Sequence, residues 1–147
     1  MKKLLTPLLL IVSTLFFMAN ANANASVDIL AKCGKSKGYN YYSGSDPKGW
    51  VEDGISKGST TITLEGKDFD VLYSNGKVQK SSRHDDNAAI VTLAFTEDVL
   101  TLLVNYGPRT DMFFLDIKSK ILMHTSSRYD GSVSQGSKIL ASQCEVF

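Results

Sequence analysis

Two short stretches gather side chains capable of chemistry. SSRHDDN, from Ser81 to Asn87, sets serines, Arg83, His84 and two carboxylates side by side, and CGKSKGYNYY, from Cys33 to Tyr42, sets a cysteine ahead of three tyrosines. The first composition is that of a serine hydrolase, but a catalytic triad is assembled in space around a nucleophile on a sharp turn. Adjacent residues of an extended chain point to opposite faces, so SSRHDDN reads as a polar loop after a strand. The second histidine, His124, lies in ILMHTSS. On a strand it shares a face with Leu122 and Ser126, opposite Ile121, Met123 and Thr125, which predicts a surface or barrel-end histidine, with a polar cavity as the alternative. GSVSQG, residues 131–136, does not fit the GxSxG elbow, and no phosphate loop, dinucleotide fingerprint or HExxH stretch occurs. The expectation is therefore a protein that is not an enzyme and has no cofactor. A hydrolase using His84 or His124 is the third choice.

Cys33 admits four chemistries. A lipid anchor needs a small residue just before the cysteine at the end of an apolar leader, and Lys32 occupies that place. A catalytic thiolate needs a histidine partner and a lowered pKa, and neither histidine sits in a cysteine-hydrolase context. A metal site needs several ligands at close spacing, which two cysteines and two histidines, all isolated, do not supply. What remains is a disulfide to Cys144, the other cysteine of the chain. Closing a loop of about 110 residues, it stabilises by roughly 4–5 kcal/mol in the chain-entropy picture.

The compartment agrees. Lys2 and Lys3 precede an apolar run from Leu4 to Met18 and a small-residue tail ending Ala23-Asn24-Ala25. This is the pattern of a secretory signal peptide over residues 1–25, cut after Ala25 or, failing that, after Ala23. The run is shorter than the roughly 20 residues a membrane span needs, so the mature chain is expected to have no transmembrane segment. Residues 26–147 then form one domain with a modest core. Of 16 basic and 15 acidic side chains, two lysines leave with the leader, so the mature balance is 14 against 15. That balance gives no reason to expect a nucleic-acid partner. A periplasmic or secreted, bacterial, monomeric protein is the expectation.

These residues must be positioned by strands. STTITLEG and FDVLY alternate with period two, Asn75-Gly76 marks a tight hairpin of type I′, and AAIVTLAF, VLTLLVNY, DMFFLDI, ILMHTSSRY and SKILASQC follow at turn-separated intervals. SVDILAKC, ahead of them, reads as a short helix or turn. Strands of this length and spacing predict an all-β antiparallel meander of eight or nine strands, curled into a closed or nearly closed barrel of lipocalin or avidin size. Alternation places Tyr39 and Tyr41 on one face and Tyr42 on the other, with Trp50 following. Such aromatics serve as core plugs, ligand walls or interface anchors.

The spacing C-x-x-S-x-G-Y-x-Y-Y, here Cys33, Ser36, Gly38, Tyr39, Tyr41 and Tyr42, continues into G-W-x-x-D-G-I, here Gly49, Trp50, Asp53, Gly54 and Ile55, and ends on a late single Cys144. It resembles a family of small uncharacterised exported bacterial proteins. The resemblance implies a compact secreted domain and no particular activity. The function expected is a binding module for a small apolar ligand or a protein partner. Tyr39, Tyr41, Tyr42 and Trp50 are its candidate recognition residues, and Arg83 and His124 its candidate polar contacts. The alternative is an inhibitor or immunity-type protein acting on an envelope hydrolase.

Overall fold

The computed structural model describes residues 26–43, 49–128 and 136–147; the expected leader over 1–25 and residues 131–135 of GSVSQG lie outside them. Ten strands follow one another: β1 (Val27–Tyr42), β2 (Gly49–Ile55), β3 (Ser59–Glu65), β4 (Asp68–Ser74), β5 (Gln79–Ser81), β6 (Ala89–Phe95), β7 (Val99–Asn105), β8 (Arg109–Asp116), β9 (Ile121–Arg128) and β10 (Gly136–Val146). All pair antiparallel, in the order β5-β4-β3-β1-β10-β9-β8-β7-β6, with β2 beside β1. The all-β meander is as expected, and its nine-strand path curls into a half-barrel. Among the described residues there is no helix, and so none long and apolar enough to cross a membrane.

The one departure in element type is at the start. SVDILAKC is not a helix or turn but the first half of β1, where residues 27–33 pair with β3 on one side and residues 31–33 with β10 on the other. A helix of eight residues cannot recover its nucleation cost. A strand there satisfies its backbone from both neighbours at once. Beyond a bulge between Cys33 and Ser36, the same strand runs on between β10 and β2. Cys33 and Cys144 are directly opposed across β1 and β10 and form the predicted disulfide, with Cα atoms 3.9 Å apart.

The Asn75-Gly76 hairpin forms, but not as type I′. Only Gly76 has positive φ, at 86°. Asn75 instead turns its Oδ1 inward to accept from the amides of Lys77 and Val78, at 2.9 and 3.0 Å, so the loop spans four residues between Ser74 and Gln79.

SSRHDDN closes the two ends of the sheet. The chain leaves β5 at one edge and enters β6 at the other, and Ser82 bridges the gap: its amide and hydroxyl both donate to Val71 O, at 3.0 and 2.8 Å, and its carbonyl accepts from Ala88 N. Ser81 is the pivot of the turn, bonded to Asp70, to the Asp85 carboxylate and to the His84 amide. Across the seam Phe69 of β4 meets Phe95 of β6 edge to face, with ring centres 5.2 Å apart.

The concave face is layered. Alternate residues of β7, β8 and β9 point inward, and Leu100, Leu102, Val104, Phe113, Leu115 and Leu122 pack with Ile62 and Val71 as a fully buried core. Each contributes on the order of 1.5–3 kcal/mol relative to exposure. At the disulfide end the layers are apolar. Toward the opposite end, called the mouth below, they turn polar.

Candidate functional site

Cross-strand register builds the mouth one layer at a time. Phe113, His124, Leu140 and Gly38 oppose one another across β8, β9, β10 and β1, and the next layer out is Asp111, Ser126, Lys138 and Asn40. The outermost layer sets Arg109 directly opposite Arg128, and Tyr42 opposite Gly136. A side-chain period of two thus places a carboxylate, an imidazole and several cations on a face that further in holds mainly apolar residues and the cystine.

Asp111 is the centre. Only 1% of its surface is exposed, and it lies 3.2 Å from Arg109 Nε through Oδ1 and 3.2 Å from His124 Nε2 through Oδ2. Those separations suit ion pairs, yet the N–H directions miss the carboxylate. Arg109 Nε, Asp111 Oδ1 and His124 Nε2 therefore lack an aligned hydrogen bond to any described group. Tyr73 donates to Asp111 Oδ2 at 3.3 Å, the Tyr106 hydroxyl lies 3.4 Å from that of Tyr73, and with the Ser82 proton given to Val71 O, Tyr106 donates to Ser82 Oγ at 2.7 Å. A polar chain thus runs from the seam to the buried carboxylate. Arg109 lies over the Tyr106 ring, 3.8 Å from its centre, and His124 stacks on Phe113 at 4.4 Å.

Burial alone would raise the Asp111 pKa, but His124, Ser126 and the Arg109 charge outweigh it and hold the carboxyl below its ordinary range. Burial lowers the His124 pKa more than the neighbouring carboxylate raises it, so this imidazole favours its neutral form. Lys138 is also pushed down, by burial above all. Tyr73 is pushed up, by burial and then by Asp111. The site therefore holds a fixed carboxylate, a neutral imidazole and cations at the rim.

Arg109 lines three cavities, one of them, about 330 Å³, formed at the rim with Arg128, Asp86, Tyr106 and Pro108. The outer one beside it, about 240 Å³, is lined by Arg109, Arg128 and Lys138 with Asn40, Tyr41, Tyr42 and Ser126, and by no carboxylate among the described residues. The inner one, about 230 Å³, is lined by Asp111, His124 and Tyr73 with Lys80, Asp86 and Lys138.

The candidate residues read from the sequence divide among three places. His124 is buried in the mouth, 7% exposed, rather than at the surface. Tyr42 borders the outer cavity beside it. Tyr39, Tyr41 and Trp50 are 54%, 39% and 55% exposed on the side of β1 and β2 away from the core, with the Tyr41 and Trp50 rings 5.4 Å apart; Tyr41 also borders the outer cavity at its rim. Arg83 is held outside β4, donating to Phe69 O at 2.7 Å and paired with Asp68 at 3.2 Å; His84 is exposed in the neighbouring turn. The two histidines are thus not brought together. No described serine or thiol is hydrogen-bonded to the His124 ring, and no described group of three His, Cys, Asp or Glu is placed to hold a metal.

Arg109, Asp111, Arg128 and Lys138 were not singled out by the sequence. The available signal was Asp111 itself: in TDMFFLD it shares a strand face with Phe113 and Leu115, so a carboxylate sits where alternation demands a core residue. Comparison with family models, curated proteins and solved structures finds no match to the chain.

Proposed function

We propose that the protein is an exported, non-enzymatic binding module whose recognition site is the mouth of the half-barrel. The observation that carries this reading is the buried Asp111 with Arg109 and His124 beside it, opening on two cavities. Apolar residues at those core-face positions would be as stabilising or more so. Convergent polar groups with displaced pKa values in a concavity are the usual signature of a ligand site. The ligand this favours is small and polar. An apolar ligand is better suited to the opposite end, where Leu30, Phe95, Leu100 and Ile117 border a cavity of about 220 Å³.

The test is a set of nitrogen-15 spectra recorded against a library of small polar metabolites. Shifts centred on the amides of Arg109, Asp111, His124 and Lys138 are expected for at least one compound. Shifts confined to other surfaces would sink the reading.

The exposed Tyr39, Tyr41 and Trp50 support a second reading, the inhibitor or immunity-type protein, because rigid aromatic area on a sheet is an economical interface. It predicts that an envelope hydrolase bound by the wild-type protein is lost with the pair Tyr39→Ser and Trp50→Ser while the fold is retained. Retention of that hydrolase by the double variant would refute it.

A further inference from the structure

We infer that the ligand of the mouth is a small hydroxylated anion of monosaccharide size, a sugar acid or a sugar phosphate, with its charged group at Arg128 and Lys138 and a hydroxyl directed at Asp111 and His124. This rests on the mouth-binding reading above and specifies its ligand.

The charge requirement comes from the rim. Arg109 and Arg128 are directly opposed across β8 and β9, an arrangement that costs stability on a sheet. Asp111 answers only the first of them. Among the described residues neither Arg128 nor Lys138 is in an ion pair, and both line the outer cavity, which no described carboxylate borders; carboxylates border only the adjoining cavities, Asp86 with Arg128 in one and Asp111 and Asp86 with Lys138 in the other. An anion seated there would relieve the repulsion and accept from both, and the guanidinium fork suits carboxylate and phosphate oxygens alike.

The hydroxyl requirement comes from further in. Asp111 Oδ1 is an acceptor, Arg109 Nε a donor, and the neutral His124 can be either at Nε2; all three are buried without an aligned partner among the described residues. A group that both donates and accepts completes this set, and an alcohol does so. A bare anion pushed this deep would face the Asp111 carboxylate. An alkyl group would offer these atoms no hydrogen bond in place of water's. The Tyr73 hydroxyl, already engaged with Asp111, fixes the carboxylate for the incoming group.

Size comes from the cavities. A ligand reaching from Arg128 and Lys138 to Asp111 and His124 spans both cavities, about 240 and 230 Å³, which together fall in the lower part of the roughly 300–1,000 Å³ range of small-molecule sites. One ring with its substituents is the scale that fits.

The experiment titrates the full mature chain with glucuronate, glucose 6-phosphate, glucose, acetate and inorganic phosphate, following mouth amides by nitrogen-15 spectra. At least one hydroxylated anion should bind tenfold or more tighter than glucose, acetate and phosphate, and the two separate a carboxylate from a phosphate preference. Lys138→Met should remove that advantage. Raising salt should weaken the anion alone. Equal binding of glucose, or of acetate or phosphate, would overturn the inference while leaving the mouth as a binding site. Silence with all five probes would overturn it too; the mouth-binding reading then falls as well only if the wider metabolite library is silent at the same amides. The fold of Lys138→Met is checked by its unperturbed core methyl spectrum, and Arg128→Gln, at an exposed position, serves as the second variant.

Discussion

At the scale of single residues, the mouth makes stability depend on pH in a definite direction. His124 has its pKa lowered by burial in the folded chain and regains the ordinary value near 6.5 on unfolding. Below about that pH the unfolded chain binds a proton that the folded chain refuses, so stability falls as pH drops. Asp111, lowered in the folded state, contributes stability above its unfolded value of about 3.9, and that contribution is lost as pH falls through the lower folded value. Acid therefore destabilises in two stages, the histidine first. The urea midpoint of the wild-type chain is expected to decline between pH 7.5 and 5.5, and that of His124→Gln to stay nearly flat across the same interval. Parallel curves for the two proteins would contradict the assignment. Asp111→Ala should be costlier at neutral pH, by about 3–5 kcal/mol, since it strands Arg109 against Arg128 and leaves the Tyr73 hydroxyl without its acceptor. Equilibrium urea unfolding measures this, and a loss under about 1 kcal/mol would mean that the buried charges are solvated.

At the scale of elements, the legibility of the chain follows the physics of each. Alternation was enough to find β3, β4 and the strands from β6 to β10, because one face of each is core and the other is not. It also sorted Tyr39 and Tyr41 from Tyr42. It misplaced SVDILAKC because the partners that hold those residues extended are β3 and β10, and β10 is more than a hundred residues away. For the same reason His124 could be noticed but not its carboxylate: Asp111 becomes its neighbour only through the β8–β9 register, fixed by the turn that sets Asp116 opposite Ile121. The spacing from Cys33 to Tyr42 now has a partly physical meaning. Cys33 is bonded to Cys144, and Ser36 is buried and accepts from the Ile55 amide at 3.3 Å. Gly38 lies so close to β10 that a Cβ there would stand 1.9 Å from Ile139 O and 2.8 Å from its carbonyl carbon. Those are backbone atoms within a paired ladder and cannot step aside. Gly38→Ala is therefore expected to destabilise by about 1–3 kcal/mol or more, as overpacking does, with chemical-shift changes along β1, β10 and β2. A variant as stable as wild type would show that the β1–β10 spacing is slack.

At the scale of the whole molecule, the cystine and the polar mouth lie at opposite ends of one curled sheet. The cystine ties β1 to β10 at the apolar end, and the polar layers of the same two strands, with Asn40 and Lys138, open at the other. A staple near both termini of the domain restricts the unfolded chain far more than the folded one, since the backbone ladder already holds Cys33 beside Cys144. The sequence separation of 111 corresponds to roughly 4–5 kcal/mol in the chain-entropy treatment. Replacing both cysteines by serine should lower stability by about that amount, moving the urea midpoint down and steepening its slope, because the uncrosslinked unfolded chain exposes more surface. The mouth should be untouched: amide shifts of Arg109, Asp111, His124 and Lys138 should match wild type under conditions where the variant is folded. If those shifts moved together with the loss of the bond, the two ends would be mechanically coupled and the cystine would be setting the curvature that brings Arg109, Asp111 and His124 into one place. Unmoved shifts with a large stability loss would instead mean that the ladder from β1 through β10, β9 and β8 is sufficient to hold the site, the disulfide acting only on the unfolded chain.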